Sequence, residues 1–139
     1  MRLSLKRAPA LLCLPLLALG LSACAQTVST SGLNGEAKAA AETIKDLQSN
    51  ATSGDQKKIC QDDLAKSVAS RLSPAGGGCQ AAIKSQLKEV DSLELTVQRI
   101  EVNGTSATAH VTSVYSGKKK PTTMTLVREN GKWKISAVS

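Results

Sequence analysis

The chain has 139 residues, 41% of them apolar, and a formal net charge of +7. That length allows one domain with a real but small core. Tyr115 and Trp133 are its only aromatic residues, which argues against the ring platforms that stack single-stranded nucleic acid or sugars.

Arg2, Lys6 and Arg7 make a basic start, and the twelve residues from Ala10 to Leu21 carry no charge. Such a run fits the ~7–15-residue apolar core of a signal peptide and falls short of the ~20 residues that span a bilayer. Leu21-Ser22-Ala23-Cys24 closes the run and resembles a lipobox. At a lipobox, bacteria attach a diacylglyceryl group to the cysteine thiol and cut just before that cysteine. The resemblance implies lipidation at Cys24, with Leu21, Ser22 and Ala23 read by the signal peptidase. Two acyl chains hold a protein stably where one holds it weakly. Two other readings compete. Ala23-Cys24-Ala25 also satisfies the small-x-small rule for ordinary secretion with a cut before Gln26, and the run could stay as an uncleaved anchor. The expected placement is on the extracytoplasmic side of the cell membrane, or at an outer membrane in an organism with two.

A cut before Cys24 leaves 116 residues with 15 Lys+Arg against 11 Asp+Glu, a net charge of +4. Cys13 leaves with the signal. Cys60 and Cys79 remain, and an oxidising compartment favours a disulfide between them. Two buried free thiols are the other reading. Two cysteines and the distant His110 make a poor zinc set, so neither metal nor cofactor is expected. Residues 24–33 are small and polar and read as a flexible tether, which places the domain at 34–139.

Asn34 to Ser53 has the spacing of a helix. Asn34 is a plausible cap, Ala37, Ala40, Ala41, Ile44, Leu47 and Ala51 share one face, and Gly54 ends it. Asp55 caps a second helix whose stripe of Cys60, Leu64, Val68 and Leu72 suggests continuity to Leu72. A disulfide argues against continuity. Leu72 would lie ~18 Å beyond Cys60, whereas Cys79 must bring its Cα within ~7 Å of that of Cys60. Either the chain bends near Asp62-Asp63, with Asp63 recapping a short helix, or the Ser73-to-Gly78 loop doubles back. The bend is favoured. A third helix runs from Cys79 to Val90.

The remainder reads as antiparallel β. Leu93, Leu95 and Val97 alternate, then Ile100 and Val102 alternate in the opposite phase. Asn103-Gly104 is a hairpin signal that sets Ile100 opposite Ala107. A bulge at Gln98-Arg99 then puts Val97 opposite Ala109 and Leu95 opposite Val111, and bends the sheet. Asn130-Gly131 sets Arg128 opposite Trp133, Leu126 opposite Ile135 and Met124 opposite Ala137. Helices followed by a bent antiparallel sheet define an α+β roll, three helices on a curved sheet with one Cys60–Cys79 disulfide.

Several segments occur in a telling order. These are Gly54-Asp55 after an Ala-rich helix, Cys60, Gly78-Cys79, Val102-Asn103-Gly104 followed by Ala107, Ala109 and Val111, and Leu126 to Ile135 (LVRENGKWKI). Together they resemble the small exported lipoproteins of the nuclear transport factor 2-like superfamily, over roughly Glu36 to Ser139. The resemblance implies a cone, often with an apolar pocket between helices and sheet. Its members include isomerases, dehydratases, cyclases, ligand binders and catalytically silent partners of other proteins, so the fold leaves the activity open.

Enzymes of that superfamily place an Asp, a His or a Tyr pair inside the cone. His110 lies between the inward Ala109 and Val111 and should point outward. Glu94 and Glu101 fall off the inward set, Asp91 flanks the first strand, and Asp55 and Asp63 read as caps. No catalytic set emerges. Tyr115, Trp133 and Met124 are candidates for a pocket or its rim. Lys118, Lys119 and Lys120 form a candidate contact with anionic surfaces, against the plainer reading of a solvated hairpin loop. The expected function is non-catalytic. The domain, attached to membrane lipid through Cys24, binds a small apolar ligand or an envelope protein and no nucleic acid. The alternatives are an isomerase, dehydratase or cyclase, and electrostatic adhesion to anionic envelope polymer.

Overall fold

The computed structural model describes residues 30, 32–73, 77–90 and 92–139. The expected signal peptide with Leu21, Ser22, Ala23 and Cys24, most of the expected tether, and Asp91 lie outside the described residues. Helix α1 (Gly35–Ser53) is followed by α2 (Gln56–Lys58), which runs straight into a π-helical turn at Ile59–Asp63. Helices α3 (Lys66–Arg71) and α4 (Gly78–Lys88) come next. Strands β1 (Leu93–Asn103), β2 (Ser106–Tyr115), β3 (Lys118–Glu129) and β4 (Lys132–Val138) form one antiparallel sheet in that order.

Small residues let α1 lie close on the sheet. Ala40, Ala41 and Ile44 are fully buried, and the core beneath them is Ile59, Leu95, Leu126 and Ile135. Aliphatic side chains thus fill the space between helices and sheet, as a chain nearly free of aromatics requires. Asn34 sits at the N-cap of α1 but makes no side-chain capping bond. Asp55 does cap, accepting a hydrogen bond from the Lys58 N–H at 3.0 Å.

The apolar stripe to Leu72 does not become one helix. Leu64 and Ala65 adopt extended backbone and break it, so the bend is the correct alternative. Its cause differs from the expected one. Asp63 recaps nothing, since α3 starts from Ala65 with no side-chain cap. Instead the segment is pinned to its neighbours. Leu64 bridges Ile135 in parallel, and the Ala65 N–H donates to the Ile135 carbonyl at 2.9 Å. Lys134, a buried residue on β4, donates from its head to the carbonyls of Gln61 and Asp62 in the π-helical turn. The Cys60–Cys79 disulfide then ties that turn to α4, with a Cα separation of 6.1 Å.

The sheet carries its bends where apolar phase slips. β1 and β2 slip between Val97 and Arg99, as the alternation implies. The register is two residues off the expected one, however. Ile100 pairs with Ala109, Val97 with Val111 and Leu95 with Ser113. Asn103 closes the ladder opposite Ser106, so the two-residue turn is Gly104-Thr105. Gly104 takes the positive φ of +58° at its first position, the place a type II′ turn reserves for glycine. At the β3–β4 hairpin Asn130 and Gly131 both have positive φ, the type I′ pattern, and Arg128–Trp133 and Leu126–Ile135 pair as expected. Met124 faces Val138 rather than Ala137, because a second slip between Thr125 and Leu126 leaves Ser136 unpaired. The Ser136 hydroxyl donates to the Thr125 carbonyl there. Two bulges curve the sheet around α1.

Candidate functional site

The curvature leaves an opening at one end of the molecule. There β1 begins, β2 ends, β3 begins and β4 ends, and the second half of α1 forms the lid-side wall. Strand alternation decides what lines it. Leu93 and Leu95 come from β1, Ser113 and Tyr115 from β2, Lys120, Thr122 and Met124 from β3, and Val138 with Ser139 from the end of β4; Leu47 comes from α1. The cavity is about 410 Å³, within the ~300–1,000 Å³ typical of small-molecule sites.

The floor is buried Leu95 and Met124. The rim is apolar and exposed. Tyr115 is 41% and Val138 58% accessible, and these are the exposed large apolar side chains of the described residues. The Tyr115 hydroxyl donates to the Glu89 carbonyl at the end of α4, which fixes the ring across the mouth. Polar groups are few. The Ser113 and Thr122 hydroxyls bond each other at 2.9 Å. Ser139 pairs with Thr123 through both backbone groups. The edge of β1 is closed by α1, with the Leu95 N–H donating to Gln48 Oε1 at 2.8 Å. An apolar cavity with a small set of fixed polar groups suits a ligand held by shape and burial.

A second cleft of about 580 Å³ opens on the other side of α1, against the β3–β4 hairpin. Glu42, Asp46, Asp62 and Asp63 line it with Asn50, Lys58, Lys132 and Trp133. Asp63 is 2% exposed and accepts a hydrogen bond from Asn50 Nδ2 at 2.8 Å. Burial pushes its carboxyl up to about 6; the Asn50 bond opposes that, nearby Asp46 and Asp62 add to it, and Lys134 opposes it. Among the described residues no group of His, Cys, Asp or Glu is placed to hold a metal ion.

The structure sorts the expected site residues. Tyr115 and Met124 meet at the mouth. Trp133 does not join them. It is buried at the opposite end, where its Nε1–H and the Arg128 guanidinium each bond one oxygen of Glu36 at 2.8 Å. The indole therefore clamps the start of α1 to the hairpin. Lys118, Lys119 and Lys120 are the first residues of β3 rather than a loop; the turn before them is Ser116-Gly117. Alternation turns Lys118 and Lys120 to the concave face and Lys119 outward. His110 lies on the outer face, 3.4 Å from Arg99, and Glu101 pairs there with Arg99 at 3.1 Å. Leu47, Leu93, Ser113, Thr122 and Val138 escape sequence reading, since nothing local marks the residues at which four strands end together.

An α+β roll of helices on a curved antiparallel sheet is the nuclear transport factor 2-like (NTF2-like) fold. Two solved structures of that fold bear this out. An NTF2-like protein from Silicibacter pomeroyi DSS-3 superposes with a TM-score of 0.51 at 14% identity, covering 70% of this chain and 87% of that one. One from Shewanella baltica OS155 gives 0.50 at 17%, covering 72% and 87%. Both are described as of unknown function, and at these identities the likeness shows the fold. The model of the family described as "Putative lumazine-binding" matches residues 44–138, and the chain belongs to that family. Among curated proteins none matches.

Proposed function

We propose that this protein is a non-catalytic, extracytoplasmic domain, held to the membrane through a lipid on Cys24, that binds a small ligand by its apolar body in the mouth. The observation that carries the reading is the mouth itself, an apolar cavity whose rim leaves Tyr115 and Val138 exposed. Exposed apolar side chains cost little singly, but grouped at a cavity they mark a binding site. Family membership supports a small ligand, and its description makes lumazine, a flat bicyclic ring, the first compound to try. The basic start and the Leu21-to-Cys24 segment support export and lipidation.

The test combines native mass spectrometry of the purified full-length protein with titration calorimetry against lumazine. A co-purifying small mass, or saturable binding, is expected. Thr122→Trp fills the mouth from a half-buried strand position and should weaken binding at least tenfold with the fold intact by circular dichroism. Binding that ignores Thr122→Trp would place the ligand elsewhere, and an inert protein in both measurements would remove the reading.

A further inference from the structure

We infer that the ligand of the mouth is an amphiphile with a single anionic head, a carboxylate or a phosphate, set against the ammonium group of Lys120. The inference rests on the reading of the mouth as a ligand site. Lys120 lines the cavity on the same face as Thr122 and Met124, with Lys118 next along that face. No Asp or Glu side chain lines it among the described residues. The ion pairs of those residues use Lys58, Arg99 and Arg128, so Lys118, Lys119 and Lys120 keep their charge unmatched.

The lysine stem can lie along the apolar wall while its head stays at the opening in water. An anionic head entering there gains a charge-assisted hydrogen bond, and the partly apolar surroundings strengthen it relative to bulk water. A neutral ligand gains nothing from that head, and a cationic one is repelled. Burial of the body thus supplies affinity, and Lys120 selects the charge.

A carboxylate or phosphate head can belong to a soluble amphiphile or to a membrane lipid, and the experiment below separates the two sources.

The test uses the full chain in phosphatidylcholine nanodiscs and three compounds with one ring body: 2-naphthoate, 2-naphthalenemethanol and 2-naphthylmethylamine. By titration calorimetry the naphthoate should bind about 5–10-fold more tightly than the alcohol, with the amine weakest. Lys120→Met should bring naphthoate down to the level of the alcohol and leave the alcohol unchanged. Lys120→Arg should keep the preference, and Lys57→Met, on α2, should alter nothing. Equal binding of naphthoate and alcohol to the natural protein overturns the anionic head while leaving an apolar ligand standing. No saturable binding of any of the three overturns the ligand site as well. Nanodiscs containing phosphatidylglycerol distinguish the source. Undiminished naphthoate binding supports a soluble ligand, and its loss to competition from the discs overturns that source in favour of membrane headgroups.

Discussion

Asp63 is the residue whose environment differs most from what its position in the sequence suggests. An aspartate just ahead of a helix reads as a cap, and nothing local says that Asn50, thirteen residues earlier, will receive it in a buried cleft. Its carboxyl holds a proton more tightly folded than unfolded, because burial raises it from 3.8 to about 6. Folding therefore takes up a proton between these values, and the contribution of Asp63 to stability falls as pH rises from ~4 to ~6. Asp63→Asn keeps an acceptor for Asn50 and removes the charge. It should stabilise the protein by about 1–3 kcal/mol at pH 7.5 and hardly at all at pH 4. Urea denaturation at both pH values checks this; an equal gain at both would mean that the charge is not the cause. Lys134 is the converse case. Its head serves two backbone carbonyls, so Lys134→Met should cost about 2 kcal/mol in urea denaturation. Neither role was legible in the sequence, because Asp63 depends on the π-helical turn meeting α1 and Lys134 on the same turn meeting β4.

At the scale of elements, local pattern carried further. Helices α1 and α4, the β1–β2 and β3–β4 hairpins and the bulge in β1 follow from periodicity and turn residues. The error in register between β1 and β2 has one cause. Asn-Gly reads as a type I′ turn with both residues central, but here Gly104 comes first and Thr105 second. That change slides β2 by two residues, which preserves every inward face because side chains alternate with a period of two. The bend at Leu64-Ala65 came from a different kind of argument, the distance a disulfide allows. The disulfide closes a loop of about twenty residues between the π-helical turn and α4. Replacing Cys60 and Cys79 by alanine should lower stability by about 3 kcal/mol. The urea midpoint of that double variant measures it, and an unchanged midpoint would mean that Lys134 and the Leu64–Ile135 bridge hold the turn unaided.

For the whole molecule, the sequence defined the class but not the mouth. Its lining is drawn from the start or end of each of four strands and from one turn of α1. Only the closed fold brings those ends together, which is why Tyr115 and Met124 were legible as candidates while Trp133 was placed with them wrongly. The proposed attachment through Cys24 is also tested on the full chain. On that proposal Cys24→Ser should move the protein from the membrane fraction to the soluble fraction, because it removes the thiol that would carry the two acyl chains. A variant that stays with the membrane would point to an uncleaved anchor.

The clamp of Trp133 on Glu36 has a practical consequence for anyone who watches this protein in solution. The chain owns a single indole, and it is packed at the end remote from the mouth, hydrogen-bonded to the start of α1. Its emission spectrum reports whether α1 is docked on the hairpin and is blind to the arrival of a ligand. Intrinsic fluorescence will therefore trace unfolding faithfully, and a flat fluorescence titration says nothing about whether the mouth is empty.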